Sequence, residues 1–375
     1  MIKIIISFLT LILLTSTATA YDETPFENYN IRQKAMGGTQ VTAIKDSTAF
    51  YQNPAFLALE DSFKVAIPRL SIGVNQDLLD KQSTIEDLMN STDESSQIDA
   101  LKALVPSAVN INASILPILT FTKKHFGITA FTNANIIGDI LRPTSPTLYL
   151  EGQSTTTIQL GMASTISILN KDIYLGISPK FVSKSIIYDS STGEDLFEFS
   201  QTDLLQYING TQELNASSYS LEGFALDAGI LFPYSSKRIE GLCGVTIKNI
   251  FSFLEGSKTV NNESTTFTEN DDFILTVGTS FDYNFPIIKK FHFATDINLI
   301  APTQSMFKRI HMGIEKKLTP VIALRGGINQ GFIVGGFGIN LFVLKVDYAF
   351  FAEEYSGTLG DDTVESHTLQ VGFLF

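Results

Sequence analysis

The chain has 375 residues and is acidic, with 26 Lys and Arg against 39 Asp and Glu and a formal net charge of −13. An acidic surface repels a polyanion, so nucleic acid is not expected as a partner. The single cysteine, Cys243, excludes an internal disulfide. The four histidines, His125, His292, His311 and His367, lie far apart without metal-ligand spacing, so neither a metal nor another cofactor is expected.

The first twenty residues have the pattern of a secretory signal peptide. Lys3 precedes an apolar run from Ile4 to Leu14, and small residues ending Ala18-Thr19-Ala20 follow. The apolar run is too short to span a bilayer, which takes about 20 residues. We therefore expect residues 1–20 to be cleaved and the mature chain to begin at Tyr21.

The next block, residues 21–62, lacks regular alternation and carries two short motifs. In Ala35-Met36-Gly37-Gly38, the paired glycines predict positive φ angles or a close approach of backbones, although an ordinary turn would use the same residues. In Asn53-Pro54-Ala55, Asn is a good helix cap and Pro suits the first helical position. A short helix is therefore predicted to begin at Pro54.

Residues 63–375 follow a period of two. Runs of about ten residues alternate apolar and polar side chains and are bounded by Asn, Asp, Gly, Ser or Pro, as membrane strands are. Leu344 and Val346, for example, alternate with Lys345 and Asp347. No stretch after the signal peptide contains enough uninterrupted apolar residues for a membrane-spanning helix. The pattern predicts an all-β fold, a transmembrane antiparallel up-and-down β-barrel of about 14 strands.

A soluble β-sandwich would alternate in the same way, with its apolar parity turned towards a core. The gaps between strands favour the barrel, because short gaps alternate with gaps that are longer on average, as periplasmic turns and external loops do. Two of the intervening gaps, at residues 302–306 and 329–331, are exceptions and are short. The longer gaps lie at residues 75–107, 138–154, 188–217, 254–270 and 354–363. In the first of them, Ser83 and Glu86 form a capping-box pattern beside apolar residues at helical spacing. This predicts an external helix, either with a gating role or simply solvated.

Charged side chains fall almost entirely on one parity of the predicted strands. That parity would face the lumen, although avoidance of lipid alone would produce the same pattern, since Lys or Arg at the bilayer midplane costs about 2–4 kcal/mol. The lumen-facing candidates are Lys180, Lys184, Asp227, Asp282, Asp296, Arg325, Lys345 and Asp347.

Three prolines, Pro68, Pro117 and Pro179, lie inside predicted strands. Proline removes a ladder hydrogen bond and is tolerated at edges or bulges, and an unpaired backbone group is costly in lipid. Our hypothesis is that at least one of these residues marks a kink through which the wall opens laterally. A harmless bulge at the barrel rim is the alternative.

The last predicted strand ends in alternating apolar and aromatic residues, Leu369, Val371, Phe373 and the final Phe375. This pattern resembles the C-terminal assembly signal of outer-membrane barrels. The resemblance implies that barrel-assembly machinery recognises this strand.

The N-terminal motifs carry a second resemblance. An Ala-Met-Gly-Gly segment followed by an Asn-Pro-Ala box resembles the plug of the FadL-type outer-membrane transporter superfamily, including its PorV-like and TraF-like relatives. Segments in the last quarter of the chain, Leu324–Gly331 and Asp347–Ala349, resemble barrel strands of the same group. The resemblance implies that residues 21–62 form a plug, or hatch, inside a barrel of residues 63–375. Ligand-contacting residues of the fatty-acid transporters cannot be placed on this chain.

Three functions are open on the sequence. The resemblance implies passive transport of hydrophobic small molecules, such as fatty acids, across the outer membrane of a Gram-negative-type envelope. A general diffusion porin and a PorV-like scaffold for protein secretion are the alternatives. Outer-membrane lipids, the assembly machinery and a hydrophobic ligand are the expected partners. An enzyme is not expected, because the sequence has no Gly-x-Ser-x-Gly motif and no recognisable Ser-His-Asp constellation.

Overall fold

The computed structural model describes residues 30–43, 48–168, 171–260, 263–285, 289–301, 306–354, 360 and 363–373. The predicted signal peptide, residues 21–29 of the predicted plug and Phe375 lie outside the described residues. Within these ranges, no helix has both the length and the apolar character needed to cross a membrane.

Fourteen antiparallel strands close into a barrel, as predicted. Each strand pairs with the next, and the ring closes where the last strand pairs with the first through Leu369 and Ile72. The barrel strands are β2 (Arg69–Asn75), β3 (Ser107–Lys123), β4 (Phe126–Leu141), β5 (Thr147–Ile168), β6 (Lys171–Asp189), β8 (Ala216–Ser236), β9 (Ile239–Lys248), β12 (Ile274–Phe285), β13 (Lys289–Ile300), β14 (Ile310–Lys317), β15 (Ile322–Asn329), β16 (Phe332–Leu341), β17 (Leu344–Glu354) and β18 (Thr363–Phe373). Four further segments extend this ring: β1 (Lys64–Ala66), β7 (Phe197–Phe199), β10 (Ser252–Val260) and β11 (Glu263–Glu269).

The barrel carries its apolar parity on the outside and its polar parity on the inside. Leu70 and Ile72 of β2 are 53 % and 55 % exposed, whereas Ser71 between them is 1 % exposed. A soluble sandwich would show the opposite, with the apolar parity buried in the core. The closed ring and its apolar exterior therefore exclude the sandwich and suit a lipid environment.

Two of the predicted long loops are wrong. In the predicted gap 138–154, β4 and β5 remain paired as far as Leu141 and Thr147. In the gap 254–270, β10 and β11 form a hairpin that continues the line of the barrel strands. The segment 254–270 is rich in Thr, Ser and Glu, and the segment 138–154 contains Pro143 and Pro146. Antiparallel backbone hydrogen bonds hold them as strands without the apolar side chains that lipid contact requires.

Helices lie in two of the other long connections, residues 75–107 and 188–217, at the end of the barrel that we call the outer end. They are α2 (Gln76–Asp80), α3 (Gln82–Asn90), α4 (Glu94–Ala103) and α5 (Gln201–Ile208), and α1 (Ile31–Lys34) lies earlier in the chain. The predicted helix near Ser83 is confirmed, but its capping box is wrong, because Ser83 lies inside α3 after an N-cap at Lys81. The side-chain cap in this connection is Asp93, which accepts a hydrogen bond from the Ser96 amide.

The outer helices share a small apolar core. Leu88 of α3, Leu101 of α4 and Leu205 of α5 pack together with Ile140 of β4. The Gln97 side chain on α4 also donates a hydrogen bond of 3.0 Å to Asn209 Oδ1, next to α5. The separate connections therefore form one packed layer rather than independent loops.

Candidate functional site

Residues 30–43 and 48–60, which we call the N-terminal segment, run along the inner wall of the barrel. Helix α1 packs on β16 and β17. A Cβ added to Gly313 of β14 would lie 2.3 Å from the Met36 carbonyl oxygen, and one added to Gly176 of β6 would lie 2.3 Å from the Ala55 nitrogen. Glycine at these two wall positions is what allows the backbones to meet. The segment thus touches strands from distant parts of the ring.

Both sequence motifs of the segment adopt the predicted conformations. Gly37 and Gly38 have φ angles of 71° and 76°. The Asn53 side chain caps a 3-10 helix, Pro54–Leu59, by accepting a hydrogen bond of 3.1 Å from the Ala55 amide. A second 3-10 helix spans Ala49–Tyr51. Met36, Asn53, Pro54 and Ala55 are all buried in the barrel interior.

A chain of buried ions ties the start of the segment to the wall. Arg32 and Arg325 each place Nε 2.8 Å from Glu315 Oε2. Arg325 also binds Asp347 at 2.7 Å, and Lys345 lies 3.1 Å from the same carboxylate. Three of the predicted lumen charges therefore meet in one network that includes a residue of the N-terminal segment. Because the side chains of Arg325, Glu315 and Asp347 are almost fully buried, removal of one partner would leave an uncompensated charge.

Two further contacts hold the middle of the segment. Asp296 of β13 accepts hydrogen bonds from the backbone amides of Gln40 and Val41, the latter at 2.9 Å. His311 Nδ1 lies 3.0 Å from the Gly37 carbonyl oxygen. On the same wall, His292 Nε2 lies 2.9 Å from the Ala43 carbonyl oxygen.

Asp282, another predicted lumen residue, supports His292. Its Oδ1 lies 2.8 Å from His292 Nδ1, and its Oδ2 lies 2.8 Å from Lys290 Nζ. Sequence reasoning missed Glu315, His292 and His311 as wall contacts of the segment. Their position on the polar parity of β13 and β14 was the signal that could have identified them.

The remaining predicted charges line a polar cavity of about 270 Å³. Lys180 Nζ lies 2.9 Å from Asp227 Oδ1. Lys184 Nζ lies 2.6 Å from both Glu269 Oε1 and Asp271 Oδ1. Beside them, in the connection from β11 to β12, burial and the neighbouring Asp271 raise the pKa of the Asp272 carboxyl. The rest of the lining comes mainly from amide and hydroxyl side chains of β5, together with Tyr51 and Gln52 of the N-terminal segment.

Two of the three prolines interrupt neighbouring strands. Pro68 lies between β1 and β2, which both pair with β3. Pro117 lies in a bulge of β3, where Ile115 pairs with Thr132 and Leu119 with Ala130, so that three residues oppose one. The ladder is therefore irregular on both strands at one place in the wall.

Pro179 differs because its missing donor is replaced. It lies within β6, and the preceding Ser178 donates its hydroxyl to the Leu160 carbonyl oxygen at 2.6 Å. On its other side Pro179 stays in register with Leu226 of β8. The strands at Pro179 therefore keep their register, and the Ser178 hydroxyl supplies the Leu160 carbonyl with a hydrogen bond that the proline cannot donate.

The C-terminal strand presents its predicted signal residues outward. Leu369, Val371 and Phe373 are exposed on the apolar exterior, and they alternate with buried Thr368 and Gln370. This strand pairs with β17 on one side and β2 on the other. It is therefore the strand that closes the ring.

No protein-family model and no curated protein matches the chain. Among solved structures, a Ralstonia pickettii toluene transporter, TbuX, has a TM-score of 0.46 and 12 % identity, covering 94 % of this chain and 99 % of that one. The Pseudomonas putida toluene transporter TodX has a TM-score of 0.41 and 10 % identity, with coverages of 94 % and 98 %. A Pseudomonas aeruginosa FadL homologue has a TM-score of 0.31 and 8 % identity, also with coverages of 94 % and 98 %. At these identities no residue of those proteins can be equated with a residue here.

Proposed function

We propose that the protein is an outer-membrane channel for passive diffusion of hydrophobic small molecules, with the N-terminal segment as its plug. The observation that carries this proposal is the pairing of an apolar barrel exterior with an interior occupied by the N-terminal segment, residues 30–43 and 48–60. The Arg32–Glu315 ion pair and the backbone bonds to Asp296 fix that segment in the lumen. A molecule that passes must therefore displace part of the segment or leave through the wall.

The lateral exit that we propose is the irregular ladder at Pro68 and Pro117. A hydrophobic molecule that leaves there would pass directly from the lumen to the apolar exterior and would avoid the aqueous space beyond the barrel. The competing function is that of a general porin, which would need an open polar lumen. It is less supported, because the predicted lumen charges are engaged with oppositely charged or hydrogen-bonding side chains of the wall or with the N-terminal segment.

Location and assembly complete the proposal. Residues 1–20 would direct export and be cleaved, and residues 21–62 would enter the lumen of the barrel. The strand that ends at Phe375 would be recognised by assembly machinery, with its exposed Leu369, Val371 and Phe373 against lipid. Fractionation of cells that produce the full precursor, with the mature N-terminus sequenced, tests the location and the cleavage point together.

The proposed channel is tested by conductance in planar bilayers, with and without residues 21–60, and by uptake of a labelled neutral hydrophobic compound in cells. The intact protein should be nearly silent in the bilayer and should support uptake. Deletion of the segment should produce a steady conductance, provided that the variant still shows the heat-dependent gel shift of a folded barrel. A large open conductance in the intact protein would make it a porin and overturn both the plug and the hydrophobic pathway.

A further inference from the structure

The polar cavity has an unusual wall for a passage that carries hydrophobic molecules. Its β5 side is an unbroken inward row of uncharged polar side chains, Gln153, Thr155, Thr157 and Gln159. Tyr51 and Phe131 form the main apolar part, with stacked rings whose centroids lie 5.4 Å apart. A ligand in this space therefore meets an apolar, partly aromatic surface next to a hydrogen-bonding one.

The charges of the cavity are already compensated. Lys180 is paired with Asp227, and Lys184 is paired with two carboxylates. Lys248, the third lysine of the lining, donates a hydrogen bond of 2.7 Å to Gln40 Oε1. An ionic ligand would have to separate an existing pair in a largely buried site, where loss of a partner is costly. A carboxylate also finds no excess of positive charge here, because Glu269, Asp271 and Asp272 share the lining.

Two lining side chains have an unused hydrogen-bonding atom. Gln159 is 1 % exposed, and its Nε2 has no hydrogen-bond partner among the described residues. Asn249, in the break between β9 and β10, has a buried Oδ1 that is likewise unpartnered within the described part of the chain. Buried polar atoms are rarely left without a partner, since the lost hydration is not regained. One donor and one acceptor are thus available to a bound molecule.

We propose that this cavity binds a neutral small molecule whose apolar body carries a carbonyl or hydroxyl group. The carbonyl or hydroxyl oxygen of the ligand would accept a hydrogen bond from Gln159 Nε2, and a hydroxyl or amide hydrogen of the ligand would be donated to Asn249 Oδ1. The apolar body of the ligand would lie towards Tyr51 and Phe131. The inference deepens the proposed function, on which it rests, because it narrows the transported class from hydrophobic compounds in general to neutral amphiphilic ones. Bare hydrocarbons would leave the Gln159 donor unsatisfied, and carboxylates would oppose the acidic groups.

Benzamide, toluene and benzoate are suitable probes, because they share one ring and differ in the group that it carries. Their binding to the full mature protein in detergent is measured by isothermal titration and by ligand-observed NMR. Wild-type protein should bind benzamide more tightly than either toluene or benzoate. Gln159→Met, which keeps the side-chain length and removes the amide, should weaken benzamide binding about tenfold and leave toluene binding unchanged.

Gln370→Met is the matched control. Gln370 is 2 % exposed and points inward from β18, but it does not line the cavity, so benzamide binding should stay as in the wild type. Equal binding of toluene and benzamide by the wild type would overturn the inference without any variant, and so would tighter binding of benzoate. Unchanged benzamide binding by folded Gln159→Met would also overturn it. If benzamide binds but is not taken up, the proposed site stands and the proposed channel is wrong. If all three probes are taken up equally, the proposed channel stands and its selectivity for neutral amphiphilic molecules is wrong.

Discussion

Replacing Gly176 and Gly313 together by Ala should displace the N-terminal segment and open the channel. Each added Cβ would lie 2.3 Å from a backbone atom of the segment, at Ala55 and Met36 respectively, and backbone cannot rotate aside as a flexible side chain can. Overpacking costs about 1–3 kcal/mol per site. The two sites share no contact, so their costs should add to about 2–6 kcal/mol. The population of barrels with a displaced segment should then rise at least about thirtyfold.

Single-channel recording of the refolded protein measures this change as the frequency and duration of openings. The control is Gly326→Ala on β15, where the nearest atoms to an added Cβ lie 3.9 Å away. That variant should behave as the wild type, because it adds the same methyl group without a clash. A double variant that folds, shows the gel shift of an intact barrel and opens no more often than Gly326→Ala would refute the role of the segment as plug.

Two further predictions concern the anchor and the wall. Glu315→Gln should weaken the hold on the start of the segment by about 3–5 kcal/mol, because the arginines lose a buried carboxylate, and trypsin should then cleave at Arg32 faster than in the wild type. An unchanged rate of cleavage at Arg32 would show that the ion network does not anchor the start of the segment. Pro117→Ala should reduce benzamide uptake without loss of assembled barrel, whereas Pro179→Ala should not, because Ser178 already satisfies the facing carbonyl. Equal uptake by the two variants would contradict a lateral exit at Pro117.

The barrel could be predicted from sequence because lipid imposes one pattern on every strand. An outward side chain must be apolar and an inward one is free to be polar, so the alternation of Leu70, Ser71 and Ile72 predicts both strand and face. Beyond the apolar belt, the part of the barrel exterior that faces lipid, side chains on the outer face need not be apolar. The hairpin of β10 and β11 is paired as regularly as the belt strands, yet its Ser, Thr and Glu residues carry no lipid signal.

The interior was less predictable, because it depends on which distant residues meet. The parity of Asp296 and Arg325 predicts that they point inward, but nothing local shows that Asp296 binds the backbone of the N-terminal segment. Arg32 and Glu315 are 283 positions apart, and their contact requires the path of the segment through the closed ring. Gly176 is a similar case, since its role follows only from the backbone that lies against it.

The contacts of the N-terminal segment differ in kind on the two sides of the barrel, and this difference indicates where it opens first. Towards β13–β17 it is held by ion pairs and by hydrogen bonds to buried side chains. Towards β3 and β4 it is held mainly by apolar packing, in a cluster of Phe50, Tyr51, Leu57, Leu116 and Phe131. A hydrophobic ligand can replace apolar contacts but cannot replace a carboxylate. We therefore infer that the ligand loosens residues 50–59 while residues 36–41 stay attached, beside the irregular wall at Pro117. Hydrogen exchange with benzamide present should accelerate first at residues 50–59, and equal acceleration in both stretches would show instead that the segment leaves as one body.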